Sequence, residues 1–483
     1  MTERIVLPGL DEDTNATLNR LKTQLDQRAV RNTLRSAYYD GKRAIRQVGT
    51  VIPPQYYRLG IVLGWGAKAI DLLARRCTLD GFVWPEGDLD SLGAEEVWQG
   101  NHLAQEINSA VISSLLYGVA FLVNTRGEAG EPSSLIHVRD ATQATGDWNH
   151  RRRGLDNLLS VTGHDADGNV SSLALYLDGV TITAERDGGR WQWDASEHPW
   201  GVPAEPLVYK YRTGRPFGCS RLSRPIMGLQ DQAVRELIRA EGHMDIYSYP
   251  EMWMLGADMS VFKNADGSQR SAWQVMLGRI KGLPDDEDAE NPRAQVQQFP
   301  ASSPEPHLAW LNALAKLFAR EASLPDTALA ITDMANPTSA EAYDASQYEL
   351  IAEAEGATDD WSRALRRSFT RALAIQNGLS AVPDEWRGVD VDWRNPRYLT
   401  RAAEADAGMK QLTAAPWLAE TEIGLELLGL TDQQIKRAMA EKRRQAGRGV
   451  LEAIQSAAAG RAPTVTAEPD EVAPDASGEP ASR

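Results

Sequence analysis

Apolar residues recur near helical spacing at the start of the chain, at Leu18, Leu21, Leu25 and Val30, and Tyr38-Tyr39-Asp40-Gly41 closes the run. That period predicts a first helix. A second apolar helix is expected over Leu59–Arg75 and a third over Leu92–Tyr117. The pattern then shortens to β-rich runs at Ala120–Val123, Leu135–Val138, Leu173–Leu177, Val180–Thr183, Trp191–Trp193 and Leu207–Tyr211. Asp167-Gly168, Asp178-Gly179 and Asp187-Gly188-Gly189 punctuate them and supply the positive φ that tight hairpins need. An antiparallel meander attached to a helical layer is the expected middle of the molecule.

A long helix follows, with Ser223 as N-cap, Pro225 in the first turn and Ile226, Leu229, Ala233, Leu237 and Ala240 on one face, stopping before Pro250. A compact insertion over 251–300 has strand-like runs at Glu251–Leu255, Val275–Ile280 and Ala294–Phe299 around the acidic loop Asp285-Asp286-Glu287-Asp288-Ala289-Glu290. Ser303-Pro304 opens another helix with the stripe Leu308, Leu311, Leu314 and Leu317-Phe318. After irregular sequence, Thr338-Ser339-Ala340-Glu341 is a capping box. The helix it starts meets no proline before Asn377-Gly378 and would span roughly 58 Å if Gly356 does not bend it. Its carboxylates crowd the first half, and Arg363, Arg366, Arg367 and Arg371 occupy the second, opposite Trp361, Leu365, Phe369 and Leu373. Leu430-Thr431-Asp432-Gln433-Gln434-Ile435 joins a capping box to a Leu430/Ile435 staple and opens a last helix. From Pro463 the chain is rich in Pro, Ala, Glu and Asp, which predicts a disordered tail.

The chain has 483 residues, 42% of them apolar and 24% charged, enough for two to four folded units and a sizeable core. Cys77 and Cys219 have no CxxC spacing, so a zinc ribbon or redox motif is excluded and a reducing compartment is expected. Met1-Thr2-Glu3-Arg4 leads into no apolar signal region. The longest uncharged stretch, Ile107 to Thr125, passes from helical period into a β-branched run and reads as a buried helix feeding a strand rather than a membrane span. The net charge is −16, yet residues 14–46 and 436–448 carry about +6 and +5, leaving about −27 elsewhere. An acidic body with two basic helical patches is the result.

Catalytic motifs are missing. The seven histidines stand singly, with no HxxxH or HExxH, and no GxxxxGK[ST], GxGxxG or GxSxG occurs. Asp165-Ala166-Asp167-Gly168-Asn169 lacks the later glutamate of a calcium loop and reads as a hairpin turn. No cofactor and no metal are expected. The arginines Arg363, Arg367 and Arg371 and the last helix with Lys436, Lys442, Arg443 and Arg444 are candidate DNA-facing groups, since cations at one-turn spacing displace counterions from phosphate. A solvated or salt-bridged helix face explains the same pattern.

The order of these parts resembles the portal proteins of tailed double-stranded-DNA bacteriophages, of the long-tailed siphophage kind. The resemblance covers about Leu18 to Leu428 and rests on four strings in order: Tyr38-Tyr39-Asp40-Gly41, Phe217-Gly218-Cys219-Ser220-Arg221-Leu222, Leu324-Pro325, and Asn336-Pro337-Thr338-Ser339-Ala340-Glu341-Ala342. It implies an α+β, mainly helical, multi-domain portal fold. In that fold 1–220 is a wing of helices and meander, 221–249 and 303–322 are stem helices, and 250–302 is a clip with the acidic loop Asp285, Asp286, Glu287 and Asp288. Residues 323–338 hold a channel loop with Ile331, Thr332, Asp333, Met334 and Asn336; 339–394 form the long helix and wing edge, 395–459 a helical crown and 460–483 a disordered tail.

The resemblance further implies a ring, normally of twelve copies, at one capsid vertex. Such a ring passes double-stranded DNA, docks the terminase large subunit and a head–tail adaptor, and meets the major capsid and scaffolding proteins. It is built in the host cytoplasm, resides in the virion and touches no membrane. The channel loop here has no Lys or Arg between Arg320 and Arg363, so steric and apolar contact with DNA is expected there. Two other readings remain: a carboxylate-dependent nucleic-acid-processing enzyme using Asp390, Asp392 or the acidic loop, and a capsid or head–tail scaffold protein without a channel.

Overall fold

The computed structural model describes residues 4–43, 60–247, 252–255, 266–268, 280–283, 303–329, 345–397 and 401–459. These form two compact units, Met1–Pro396 and Arg397–Arg483.

In the first unit, helix α1 (Glu12–Tyr39) starts at Asp11, whose carboxylate accepts from Thr14 N at 2.8 Å. Asn15 and Asn19 tie the preceding extended segment to it, accepting from Leu7 N and Ile5 N at 2.9 Å. Leu18, Leu21 and Leu25 are buried as the period requires, whereas Val30 is 82% exposed. Helix α2 (Trp65–Ala74) is shorter than expected, residues 60–64 being non-helical, and β1 (Leu79–Val83) follows it. The single helix expected over 92–117 is two, α3 (Ala94–Gly100) and α4 (Leu103–Tyr117). Asn101 breaks it by spending its side chain on a neighbouring strand, donating to Ser134 O at 3.0 Å and accepting from Ile136 N at 2.7 Å. His102 takes φ 49° to make the turn.

The strands that follow are β2 (Val119–Arg126), β3 (Ser134–Asp140), β4 (Ala144–Asn149), β5 (Gly154–His164), β6 (Val170–Leu177), β7 (Val180–Asp187), β8 (Arg190–Glu197) and β9 (Ala204–Val208). They make two antiparallel sheets where one meander was expected: a three-stranded sheet of order β3-β2-β9 and the meander β4-β5-β6-β7-β8. The Asp-Gly turns fall between successive meander strands, with Gly168, Gly179 and Gly189 at φ 82°, 81° and 84°.

Strand alternation explains the layering. Ala120 and Leu122 of β2 face a core shared with α2 and α4, while Val119, Phe121 and Val123 face the meander. On β5, Leu158 joins that second core, and Leu159 joins a third under Leu18 and Leu21 of α1. The order through the unit is therefore helices, small sheet, meander, α1.

Helix α5 (Arg224–Tyr247) begins after Ser223, whose hydroxyl accepts from Ile226 N at 3.4 Å. Its buried line is Ile226, Gln230, Ala233, Val234 and Ile238, and the expected Leu229, Leu237 and Ala240 are only half-buried. The described insertion residues include the parallel pair β10 (Met252–Leu255) and β11 (Ile280–Leu283). The expected strand Val275–Ile280, apart from its last residue, and the expected strand Ala294–Phe299 lie outside the described residues. Helix α6 (Glu305–Glu321) packs on α5 and buries Leu314 and Phe318.

Helix α7 (Tyr348–Gln376) runs through Gly356 unbroken, about 43 Å long. The expected capping box at Thr338 and Glu341 lies outside the described residues. Trp361 is fully buried and donates to Ser114 Oγ at 3.1 Å, and Phe369 stacks on Phe82 at 3.7 Å. β12 (Asp390–Trp393) pairs antiparallel with β1.

The second unit holds α8 (Arg401–Ala414), α9 (Glu422–Leu427) and α10 (Asp432–Ala459). Gln434 Oε1 accepts from Thr431 N at 3.0 Å, one arm of the expected capping box, and Ile435 is buried as a staple requires. The segment expected to be a disordered tail lies outside the described residues.

Candidate interaction surfaces

The string Phe217–Leu222 owes its composition to the crossing of several elements. Gly218 sits at φ 63°, and a Cβ there would fall 2.1 Å from Tyr209 O, so no other residue fits. Ser220 Oγ donates to Leu116 O at 2.6 Å. Arg221 is buried; its Nε donates to Ala69 O at 2.7 Å, Nη2 to Ala322 O at 2.5 Å, and Nη1 reaches Tyr209 Oη at 3.2 Å and pairs with Glu353. One guanidinium thus ties α2, the end of α6 and α7 together. Burial opposes charge on both partners. Tyr209 and Glu353 nevertheless hold Arg221 above its ordinary range, and Arg221, with Lys210 at 2.7 Å and Tyr209, holds Glu353 below its own.

A second buried pair corrects the outward arginine face expected on α7. Arg371 is only 7% exposed, with Nη2 at 2.5 Å from Glu205 Oε1 and Nη1 donating to Asn124 Oδ1 at 3.1 Å. Glu205 and Asn124 reach it because β9 and β2 pack against this helix. Arg367 remains exposed but leans on the same Glu205 at 3.3 Å. Arg363 is exposed, and Arg366 is 3.9 Å from Asp390. Sequence reasoning missed Glu205, although a lone carboxylate inside Ala204–Val208 was a signal that a cation must meet it.

On α10 the basic residues do stay outside: the side chains from Glu441 to Val450 are all exposed, Arg443 among them. Lys442 Nζ reaches Glu420 Oε2 at 3.3 Å and Arg444 lies 3.8 Å from Glu441, while Lys436 is exposed. The channel-loop group Ile331, Thr332, Asp333, Met334 and Asn336 and the acidic group Asp285, Asp286, Glu287 and Asp288 lie outside the described residues.

The carboxylates offered for metal chemistry are two at most on one strand face. Asp390 is exposed beside Arg366, and Asp392, two residues along the same strand, shares its face and is half-buried. Among the described residues no group of three or more His, Cys, Asp or Glu is placed to hold a metal ion. The Asp165 loop is a turn in which Asp165 accepts from Asp167 N at 3.0 Å and Asn169 N at 2.8 Å. Among those residues no helix is long and apolar enough to cross a membrane.

Two histidines that looked solitary meet where α5 and α6 pack. His243 Nδ1 is 2.9 Å from His307 Nε2, and His307 Nδ1 is 2.7 Å from the buried Glu236 Oε1. On α6 the large apolar residues Leu308, Trp310 and Leu317 are each 49% exposed. Trp310 and Leu317, seven residues apart, share one side of the helix, and an apolar pair of that kind is normally covered.

Among known proteins, residues 18–448 match the family model described as phage portal protein, SPP1 Gp6-like. The chain is 26% identical over 417 residues to the portal protein of Mycobacterium phage D29 and 25% identical over 417 residues to that of Mycobacterium phage L5. Each alignment spans 84% of this chain and 84% of the relative. Of solved structures, it is similar to a chain in the neck of an empty gene transfer agent particle computed with C6 symmetry, at TM-score 0.41 and 16% identity, covering 76% of this chain and 90% of that one.

Proposed function

The chain belongs to the phage portal protein family of the SPP1 Gp6-like type, and from that premise we propose that its copies close into a ring, normally of twelve, around a channel for double-stranded DNA at one capsid vertex. The carrying observation is the α5–α6 pair: Leu314 and Phe318 pack on the subunit, while Trp310 and Leu317 on one side of α6, and Leu308 near its start, stay half in water. A neighbouring copy would cover them. The acidic balance of −16 suits a conduit, because carboxylate walls repel phosphate and let a duplex slide.

Under this reading 1–220 is the wing, 221–249 and 303–322 are the stem, 250–302 is the clip, 323–338 is the channel loop, 339–394 is the wing edge and 395–459 is the crown. Ile331, Thr332, Asp333, Met334 and Asn336 would face the channel, and Asp285, Asp286, Glu287 and Asp288 the clip surface. Arg363, Lys436, Arg443 and Arg444 are the DNA-facing candidates that exposure favours, with Arg367, Lys442 and Arg444 also engaged by acids. The terminase large subunit, a head–tail adaptor and the capsid and scaffolding proteins would be its partners, assembly would take place in the host cytoplasm, and the chain itself would do no catalysis.

Negative-stain microscopy with mass photometry tests the ring: closed rings with a central hole are expected, and a monomer alone at micromolar concentration overturns the proposal. Incubation with plasmid and magnesium or manganese should leave the DNA intact; nicking that Asp390→Asn abolishes would favour the enzyme reading instead.

A further inference from the structure

Helix α1 carries Arg28, Arg31 and Arg35 on one side, at three- and four-residue steps. Arg28 lies over the Phe217 ring at 5.5 Å and donates to Thr145 Oγ1 at 3.2 Å; Arg35 donates to Tyr117 O at 3.2 Å. The segment after β9 adds Arg212 and Arg215, whose guanidiniums converge on Cys219 Sγ at 3.0 and 3.5 Å. Among the described residues none of these five has a carboxylate at ion-pair distance, and the nearby Asp147 is taken by Arg20 at 2.6 Å. The crowding is felt: burial and Arg31 push Arg35 down to about 10 and Arg28 in the same direction. Beside the cations Tyr211, 42% exposed, lies 6.0 Å from Trp148, which is 6.2 Å from the Phe217 ring under Arg28. Arginine with aromatic neighbours is the composition of a protein-binding face.

The opposite charge is concentrated elsewhere in the same unit. No Lys or Arg occurs from Cys77 to Thr125, and Glu86, Asp88, Asp90, Glu95 and Glu96 are all exposed. Two internal rulers put the faces far apart. Asn32, between Arg31 and Arg35, donates to Ala141 O, and Asn101, just after α3, donates to Ser134 O. The strand path between Ser134 and Ala141 is about 24 Å. Along α7, Asp360 accepts from the Tyr211 backbone and Asn377 donates to Leu92 O, a separation of about 26 Å.

A ring built head to tail needs two different, complementary surfaces on each subunit. We propose that the Arg28, Arg31, Arg35, Arg212 and Arg215 face of one subunit docks the acidic 86–96 segment of the next copy. This rests on the ring reading above. Duplex DNA is the competing occupant of the arginine face; exposed Tyr211 and an exposed acidic complement on the same chain favour the neighbouring copy.

The test uses the full chain in sedimentation velocity at near-physiological salt, with far-UV circular dichroism to verify folding. Arg31→Glu/Arg212→Glu and Asp90→Lys/Glu96→Lys should each raise the concentration for half-assembly at least about tenfold. An equimolar mixture of the two variants should assemble into mixed rings, since alternating copies then pair wild-type faces with each other and reversed faces with each other. The fourfold variant should form rings again. Two double variants that assemble like wild type overturn the proposal, as does a mixture that assembles no better than either variant alone. So does an Arg31→Glu/Arg212→Glu protein that keeps its rings but loses affinity for a duplex, which assigns the face to DNA. Wild type that forms only open oligomers while the reversals and their mixture change assembly as stated would overturn the ring alone.

Discussion

In α7 the Arg371 side chain is locked between Glu205 and Asn124, whereas in α10 the side chains from Glu441 to Val450 all stand in solvent. Both helices carry cations at one-turn spacing. The difference comes from what packs beside them. β9 brings Glu205 into the seam of α7, and an acid buried there must meet a cation or stay costly. α10 has a buried staple at Ile435 and, among the described residues further along, no such demand. One arginine pattern therefore serves stability in the first case and leaves a surface open to partners in the second.

The contrast is easiest to break at its buried end. Arg371→Ala should cost about 3 kcal/mol in urea unfolding by leaving the buried Glu205 only the exposed Arg367, and Arg221→Ala a similar amount by leaving Glu353 only the exposed Lys210. A loss below about 1 kcal/mol would mean water reaches these acids.

Acid should separate the regions next. Glu353 is held below its ordinary 4.5, so its contribution is complete above that value and disappears as pH falls through the lower folded value. The urea midpoint should drop on acidification below the ordinary carboxylate range. Glu353→Gln should flatten that drop, and an unchanged pH profile would contradict the assigned pairing.

At the exposed end, Lys442→Ala should cost no more than about 1 kcal/mol, because its contact with Glu420 is open to solvent. Arg443→Ala should shift the unfolding midpoint within about 0.5 kcal/mol of wild type. If the Arg443 substitution weakens duplex binding without changing stability, the open face is a contact surface; if it destabilises the fold, the contrast with α7 fails.

Local chemistry was legible from the chain. Asp-Gly dipeptides marked the meander turns, Leu18 and Leu21 the buried side of α1, and Thr431 with Gln434 the start of α10, because each depends on neighbours a few residues away. Less could be read where a side chain leaves its own element. Asn101 broke a smooth helical period by bonding across to Ser134 and Ile136. β4 and β5 were missed as strands because Ala144-Thr145-Gly146-Asp147 and Gly154-Leu155-Asp156-Asn157 place polar residues and glycine where an isolated strand would alternate.

The sequence by itself determined the succession of helices and hairpins and the acidic balance, which are properties of near neighbours and of sums. Only the tertiary structure decided that Arg371 turns inward, that His243 finds His307, and that the arginines of α1 join those after β9. Those partners are separated by tens to hundreds of residues, and packing selects the face on which each charge must be met or left in water.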